Sequence, residues 1–124
     1  MQFFHEAFSY SIVLIWLALV YIICMEALLR FAIEHKKMLS LTYFDLVRIV
    51  EPYMYGVHTN GQQVLYCYQT DGDSCVEQEG WREFFLFQIH DVLLLSDDFC
   101  ETRDGYRNHI SDLSTIFCQI PETE

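Results

Sequence analysis

The sequence predicts a mostly β member of the α+β class: one helix, then five or six short strands in a small barrel or rolled sheet with the helix packed on it. Three observations carry this expectation. A helical apolar period ends before Leu39 and a two-residue period replaces it. Turn residues then recur at short intervals, at Phe44-Asp45, Asn60-Gly61 and Ser96-Asp97-Asp98, leaving runs long enough only for strands. The length of 124 residues allows one ordinary domain and a short appendage.

Residues 25–38 read as an amphipathic helix. Leu28, Leu29, Ala32 and Ile33 recur at helical spacing, while Glu26, Arg30, Glu34 and Lys37 take the other faces. Arg30 and Glu34 are four apart, the spacing of a surface pair. Leu39, Leu41 and Tyr43 then alternate with Ser40 and Thr42, as in a half-buried strand. Phe44-Asp45-Leu46 reads as a turn, and alternation resumes from Val47 to Glu51. Pro52 cannot donate a ladder hydrogen bond, so that strand lies at an edge or bends there.

Asn60-Gly61 is the clearest turn signal. Both residues tolerate positive φ, which predicts a two-residue type I′ hairpin between residues 53–59 and 62–69. Residues 70–80 read as a polar, acidic loop. Residues 81–89, aromatic on both faces, read as a central strand, and residues 92–95 as another short apolar run. Residues 114–120 suit a final strand, and residues 99–113 a loop with a helical turn.

Charge divides the chain. Residues 7–25 carry none, whereas residues 26–124 hold 24 of the 25 charged side chains and a net charge of −10. The apolar excess of 52% overall falls to 45 of 99 residues in that second part, an ordinary soluble value. The chain is therefore a hydrophobic leader, 1–25, joined to an acidic domain, 26–124. Nineteen helical residues span roughly 28 Å, about one hydrocarbon core. A membrane anchor through residues 7–25 fits this length, and Arg30, Lys36 and Lys37 after it place the domain on the cytoplasmic side. Translation from Met25, a buried core helix and a signal peptide are the competing readings; a signal peptide lacks its basic start and small-x-small cleavage site here.

No complete catalytic motif is present, so an enzyme is not expected, and nothing calls for a cofactor. Cys24, Cys67, Cys75, Cys100 and Cys118 contain no C-x-x-C, and the five histidines no H-x-x-x-H, so free, mostly buried thiols in a reducing compartment are expected and metal binding is not. Asp71-Gly72-Asp73 opens a run with oxygens at alternating positions, but Val76 stands at the sixth position and Arg82 at the twelfth of a calcium loop. Cys67 with His58 or His90 would make a dyad, yet Cys67 lies in a strand expected to pack. The acidity argues against a surface that grips phosphate backbones. Tyr53, Tyr55, Tyr66, Tyr68, Trp81, Phe84, Phe85 and Phe87 lie on predicted strands with only Arg48 and Arg82 near them, so core packing explains most of these rings. A concave site for one anionic group needs only an arginine or two.

Over about 80 residues, from Glu26 to Arg107, the order of features resembles the WYL domain of bacterial regulators. The residues that carry it are the helix from Ala27 to Ile33, Leu41-Thr42-Tyr43, Arg48-Ile49-Val50-Glu51-Pro52, the run Gly61 to Tyr68, and the run Arg82 to Ile89, followed by Phe99. The resemblance implies an Sm/SH3-like β-barrel that senses a ligand or nucleic acid. Gln63-Val64-Leu65 stands where that family has Trp-Tyr-Leu, and Phe85 and Gln88 stand where it has two arginines of its anion-binding surface. No helix-turn-helix accompanies the domain. The expectation is a standalone ligand-binding or regulatory module; the alternative is a structural or protein-interaction domain without a small ligand. Candidate ligand-binding residues are Arg82 and Arg48, with Tyr66 and Gln88, and the expected partner is a small anionic molecule or a protein. A surface salt bridge and a packed tyrosine are the competing reading of those four.

Overall fold

The computed structural model describes residues 2–72, 79–100, 102–107 and 112–121. A single 33-residue helix, α1 (Gln2–Glu34), carries the apolar leader into the amphipathic stretch without a break. The cause is local: no Gly or Pro interrupts that stretch. Its character changes along its length. Side chains such as Tyr10, Leu14, Trp16 and Ile23 are more than half exposed, whereas Leu29, Ala32 and Ile33 are buried against the strands. The helix from Tyr10 onward is long and apolar enough to cross a membrane.

The helix ends at Glu34 and not at Met38. Lys36 turns to a φ of 52°, and its carbonyl accepts the Phe99 N–H at 3.0 Å, so Lys37 and Met38 are drawn into β1 (Lys37–Tyr43). Arg30 turns away from Glu34 as well. Its Nη1 donates to the Phe117 carbonyl at 3.2 Å, and its guanidinium lies 5.4 Å from the Phe117 ring centroid and 5.6 Å from that of Tyr55. The cation thereby fixes α1 to the last strand.

The remaining strands are β2 (Leu46–His58), β3 (Gln63–Gly72), β4 (Gly80–Phe85), β5 (Ile89–Asp98) and β6 (Leu113–Gln119). All pairings are antiparallel, in the order β4-β3-β2-β1-β5, with β6 also on β2. The class and the six strands match the sequence expectation, but the sheet does not close into a barrel: among the described residues no ladder joins β4 to β5. The two edges nevertheless converge at one corner, because only a 3-10 turn (Leu86–Gln88) separates the two strands. The central strand expected over residues 81–89 is therefore two edge strands and a turn. Tyr43 makes that break. Its hydroxyl accepts the Phe85 N–H at 3.3 Å, a backbone donor that a neighbouring strand would otherwise satisfy, and donates to the Gln88 side chain at Oε1, 3.0 Å away.

Turn chemistry also fell in a different place from the one expected. Gly61 has a φ of 89°, but Asn60 is not in the left-handed region. The Gly61 N–H bonds the His58 carbonyl and the His58 N–H bonds the Gln62 carbonyl, both at 2.8 Å. This is a three-residue hairpin with a bulge glycine, not a type I′ pair. The paired positive φ values occur instead at Phe44 and Asp45, 51° and 62°, between β1 and β2. There the two strands are joined by two residues, and their right-handed twist requires that mirror-image turn.

Strand β2 runs through Pro52 as a central strand. Pro52 sits between Val50, the last position of the β1 ladder on this side, and Met54, the first paired with β6. The register against β3 shifts at the same point. The missing N–H thus falls where β2 bends and changes neighbours, which is how a proline survives mid-sheet. At Gly56 β6 comes so close that a Cβ would overlap the Thr115 carbonyl oxygen. One core unites the helix and strands: Leu29, Ile33, Leu39, Leu41, Val50, Tyr53, Met54, Tyr55 and Leu65 are each at most 1% exposed.

Candidate functional site

Three of the four predicted site residues gather around Tyr43 and Cys67, and the fourth does not. Arg48, on β2, is 6% exposed; its Nη1 donates to Gln69 Oε1 at 3.2 Å and its Nη2 to the Tyr43 carbonyl at 3.3 Å. Gln88, in the 3-10 turn, accepts from the hydroxyl of the same Tyr43. Arg82 lies opposite Cys67 in the β3–β4 ladder. Tyr66 is its diagonal neighbour one residue away, so strand alternation sends it to the other face of the sheet. There it stacks on Trp81, centroids 4.9 Å apart and planes within 5°.

Arg48 is the chemically unusual member. A guanidinium removed from water needs an anion or a full set of acceptors. Among the described residues it forms no ion pair with a carboxylate, and its Nε has no hydrogen-bond partner. What holds it is soft: the ring of Phe84 at 5.3 Å and that of Tyr43 at 5.7 Å, besides the two neutral acceptors. Arg82 lies partly buried nearby, its Nη1 donating to the Trp81 carbonyl at 3.1 Å. Both arginines thus lie on the side of the sheet that holds the buried Cys67 thiol. Burial pushes the Cys67 thiol far up despite both arginines. Fully buried, Cys67 offers no sulfur to a substrate beside His58 or His90, as its place in a packed strand led us to expect.

The opposite face carries a second cluster that sequence reasoning missed. Arg103 forks onto Glu51, Nε to Oε1 at 3.0 Å and Nη2 to Oε2 at 3.1 Å. The Tyr53 hydroxyl donates to Glu51 Oε1 at 3.4 Å and accepts the Arg103 N–H at 2.9 Å. The Arg103 guanidinium also lies 4.6 Å from the Tyr68 ring centroid. Around them Tyr53 packs against Trp81, Phe99 and Tyr106, while the Trp81 Nε1 donates to the Asp104 carbonyl at 3.1 Å and the Tyr106 hydroxyl to that of Ile120. A polar cavity of about 540 Å³ opens beside the clamp, lined by Glu51, Thr102, Arg103 and Asp104 among others. Glu51 and Arg103 lie 52 residues apart in the chain. No local pattern joins such a pair. Only the docking of residues 99–107 onto the sheet does.

The clamp leaves a measurable signature. Burial, reinforced by the Glu51 carboxylate, pushes the Tyr53 hydroxyl up from 10 to about 12. Hydrogen bonding to Glu51 holds Arg103 more firmly protonated than usual. A group whose pKa is raised by folding contributes its full stability below its unfolded value and loses it as pH climbs through the folded one. Stability therefore falls between pH 10 and about 12, with Tyr53 contributing roughly 2–3 kcal/mol of the loss. Urea melts across that range will show the decline, and Tyr53→Phe will flatten it; an unchanged slope in that variant would remove Tyr53 as its source.

The other expected features are scattered. Of the four described cysteines only Cys67 is buried; Cys24 and Cys100 are exposed and Cys118 is intermediate. The cysteines pack less than expected because Cys24 lies on the exposed part of α1, Cys100 follows β5, and Cys118 lies on β6, which pairs only with β2 among the described strands. Most of the run that resembles a calcium loop, with Cys75, lies outside the described residues. Most of the aromatic residues on the strands are core, as expected, but Phe87 is 64% exposed. Comparison of this chain with protein-family models, curated proteins and solved structures finds no match.

Proposed function

We propose that this chain is a non-catalytic ligand-binding or regulatory module, WYL-like in the order of its elements but with an open sheet in place of a barrel, tethered to the cytoplasmic side of a membrane by the first part of α1. Its sheet takes up one small anionic group near Arg48. The observation that carries the ligand reading is the Arg48 guanidinium, 6% exposed, with no carboxylate partner among the described residues. An anion there would offset the desolvation of that cation and engage its bare Nε. One helix followed by antiparallel strands in sequence order along most of an open sheet supports the WYL-like order of elements. The tether rests on the exposed apolar length of α1, and its orientation on Arg30, Lys36 and Lys37.

Thermal melting of the micelle-solubilised chain tests the ligand reading. Inorganic phosphate and a short single-stranded oligonucleotide, each against chloride at equal ionic strength, are the ligands to add. Phosphate at about a hundred times its dissociation constant stabilises by roughly 2.7 kcal/mol, and Arg48→Met will abolish that shift. Equal melting in phosphate and chloride would remove the site. The alternative, a protein-interaction domain without a small ligand, is favoured by the edges of β4 and β5, neither of which has a second strand partner among the described residues. It expects no phosphate shift and a partner that pairs with a strand edge.

A further inference from the structure

We propose that the corner formed by the 3-10 turn and the start of β5 lies against the bilayer, with lipid acyl chains filling the groove between that corner and α1. The inference rests on the tether reading and adds the orientation of the domain. A groove of about 490 Å³ separates Tyr21, Ile22 and Met25 from Leu86, Phe87 and Ile89, with Gln62, Gln63 and His90 at its polar margin. A second, of about 340 Å³, continues it between Cys24 and Leu28 on the helix and Val92 and Leu93 on β5, with the Asp91 carboxylate at its rim as at a headgroup level. One wall of both grooves thus includes the end of the uncharged segment, which stops before Glu26. Whatever depth that segment takes in the membrane, the facing wall must share.

The facing wall suits that depth. Phe87 and Leu93 are 64% and 62% exposed, and the described ring beside Phe87 is that of Phe85, 6.3 Å between centroids. Large apolar side chains left in water beside the exit of an apolar helix are explained when the medium around the helix covers them too. The end of α1 that meets the 99–100 segment lies farther from this groove. Phe99 is bonded to the carbonyl of Lys36, beyond the C-terminal end of α1 and roughly 16 Å along its axis from Met25. Neighbouring Cys100, which is exposed, lies at that far level. Because α1 is one continuous helix into its packed half, the tether sets the pose of the sheet as well as its location.

A fluorescent label reports the pose. The full chain is prepared with Cys24, Cys75, Cys100 and Cys118 replaced by Ser and with Phe87→Cys or Leu93→Cys carrying an environment-sensitive NBD group; a third version keeps Cys100 as the labelled site. Each is reconstituted into phosphatidylcholine vesicles, with and without lipid spin-labelled near the headgroup end of the acyl chain, and floated on a density gradient. The label at 87 and at 93 should be blue-shifted and lose most of its emission to the spin-labelled lipid, while the label at Cys100 does neither. Chains that float with labels at 87 and 93 as water-exposed as that at Cys100 would overturn the pose and leave the tether standing. Chains that do not float would overturn both.

Discussion

Tyr53→Ala will destabilise the sheet by about 3–5 kcal/mol, the cost of deleting a buried aromatic ring that its surroundings cannot refill. Tyr53 is fully buried, and three aromatic neighbours, Trp81, Phe99 and Tyr106, lie within 5.3 Å of its ring centre. Its hydroxyl is also a node, receiving the Arg103 N–H and donating to Glu51. Truncation therefore opens a cavity and strips the 99–107 loop of one of its anchors. Tyr53→Phe keeps the ring and should cost only about 1–2 kcal/mol, the price of leaving the Arg103 N–H without its acceptor. Urea unfolding in micelles measures both. A loss below about 1 kcal/mol for the alanine variant would mean that the loop does not dock as described.

Two arginines in the middle of the apolar segment will release the chain from membranes. Leu14 and Leu17 are 64% and 56% exposed, near the centre of that segment and far from the sheet. Each arginine at such a depth costs about 2.5–3.5 kcal/mol on insertion scales. The double variant Leu14→Arg, Leu17→Arg should then leave the alkaline-carbonate-resistant membrane fraction of expressing cells, where the parent chain is expected. The sheet is untouched by these positions, so its melting transition should persist in the released protein. A parent chain found in the soluble fraction, or a double variant that stays in the membrane, would defeat the tether.

Some of this was legible in the residues and some was not. Leu28, Leu29, Ala32 and Ile33 announced the packed face of α1, because burying one helical face demands that spacing whatever lies opposite. The strands that alternate, 39–43 and 47–51, were legible for the same reason. The hairpin signal at Asn60-Gly61 correctly marked a turn but not its type. Turn geometry depends on how the flanking ladders end, and here His58 closes on Gln62. Phe44 and Asp45, neither a glycine, hold positive φ because the two-residue link between β1 and β2 compels it. Residues 81–89 read as one strand because their aromatics continue. The break is imposed by a distant hydroxyl, that of Tyr43.

The candidate site divides in the same way. Arginines at 48 and 82 could be picked out as the few cations near the aromatic strands, and the fold sets both beside Cys67. Which face each residue takes is a matter of register, and the pairing of Cys67 with Arg82 sends Tyr66 to the far side. The Glu51–Arg103 clamp had no signal at all, since its partners meet only when the 99–107 loop folds back.

The sequence by itself determined the helix with its apolar and amphipathic halves, the β-rich remainder and the segregation of charge, because each follows from side-chain period and composition along a short stretch. Tertiary structure alone decided that the sheet stays open at the Tyr43 corner, that Arg48 is buried without a carboxylate, and that the end of the apolar segment faces Phe87 and Leu93. Those outcomes depend on contacts between residues tens of positions apart, which no local period encodes.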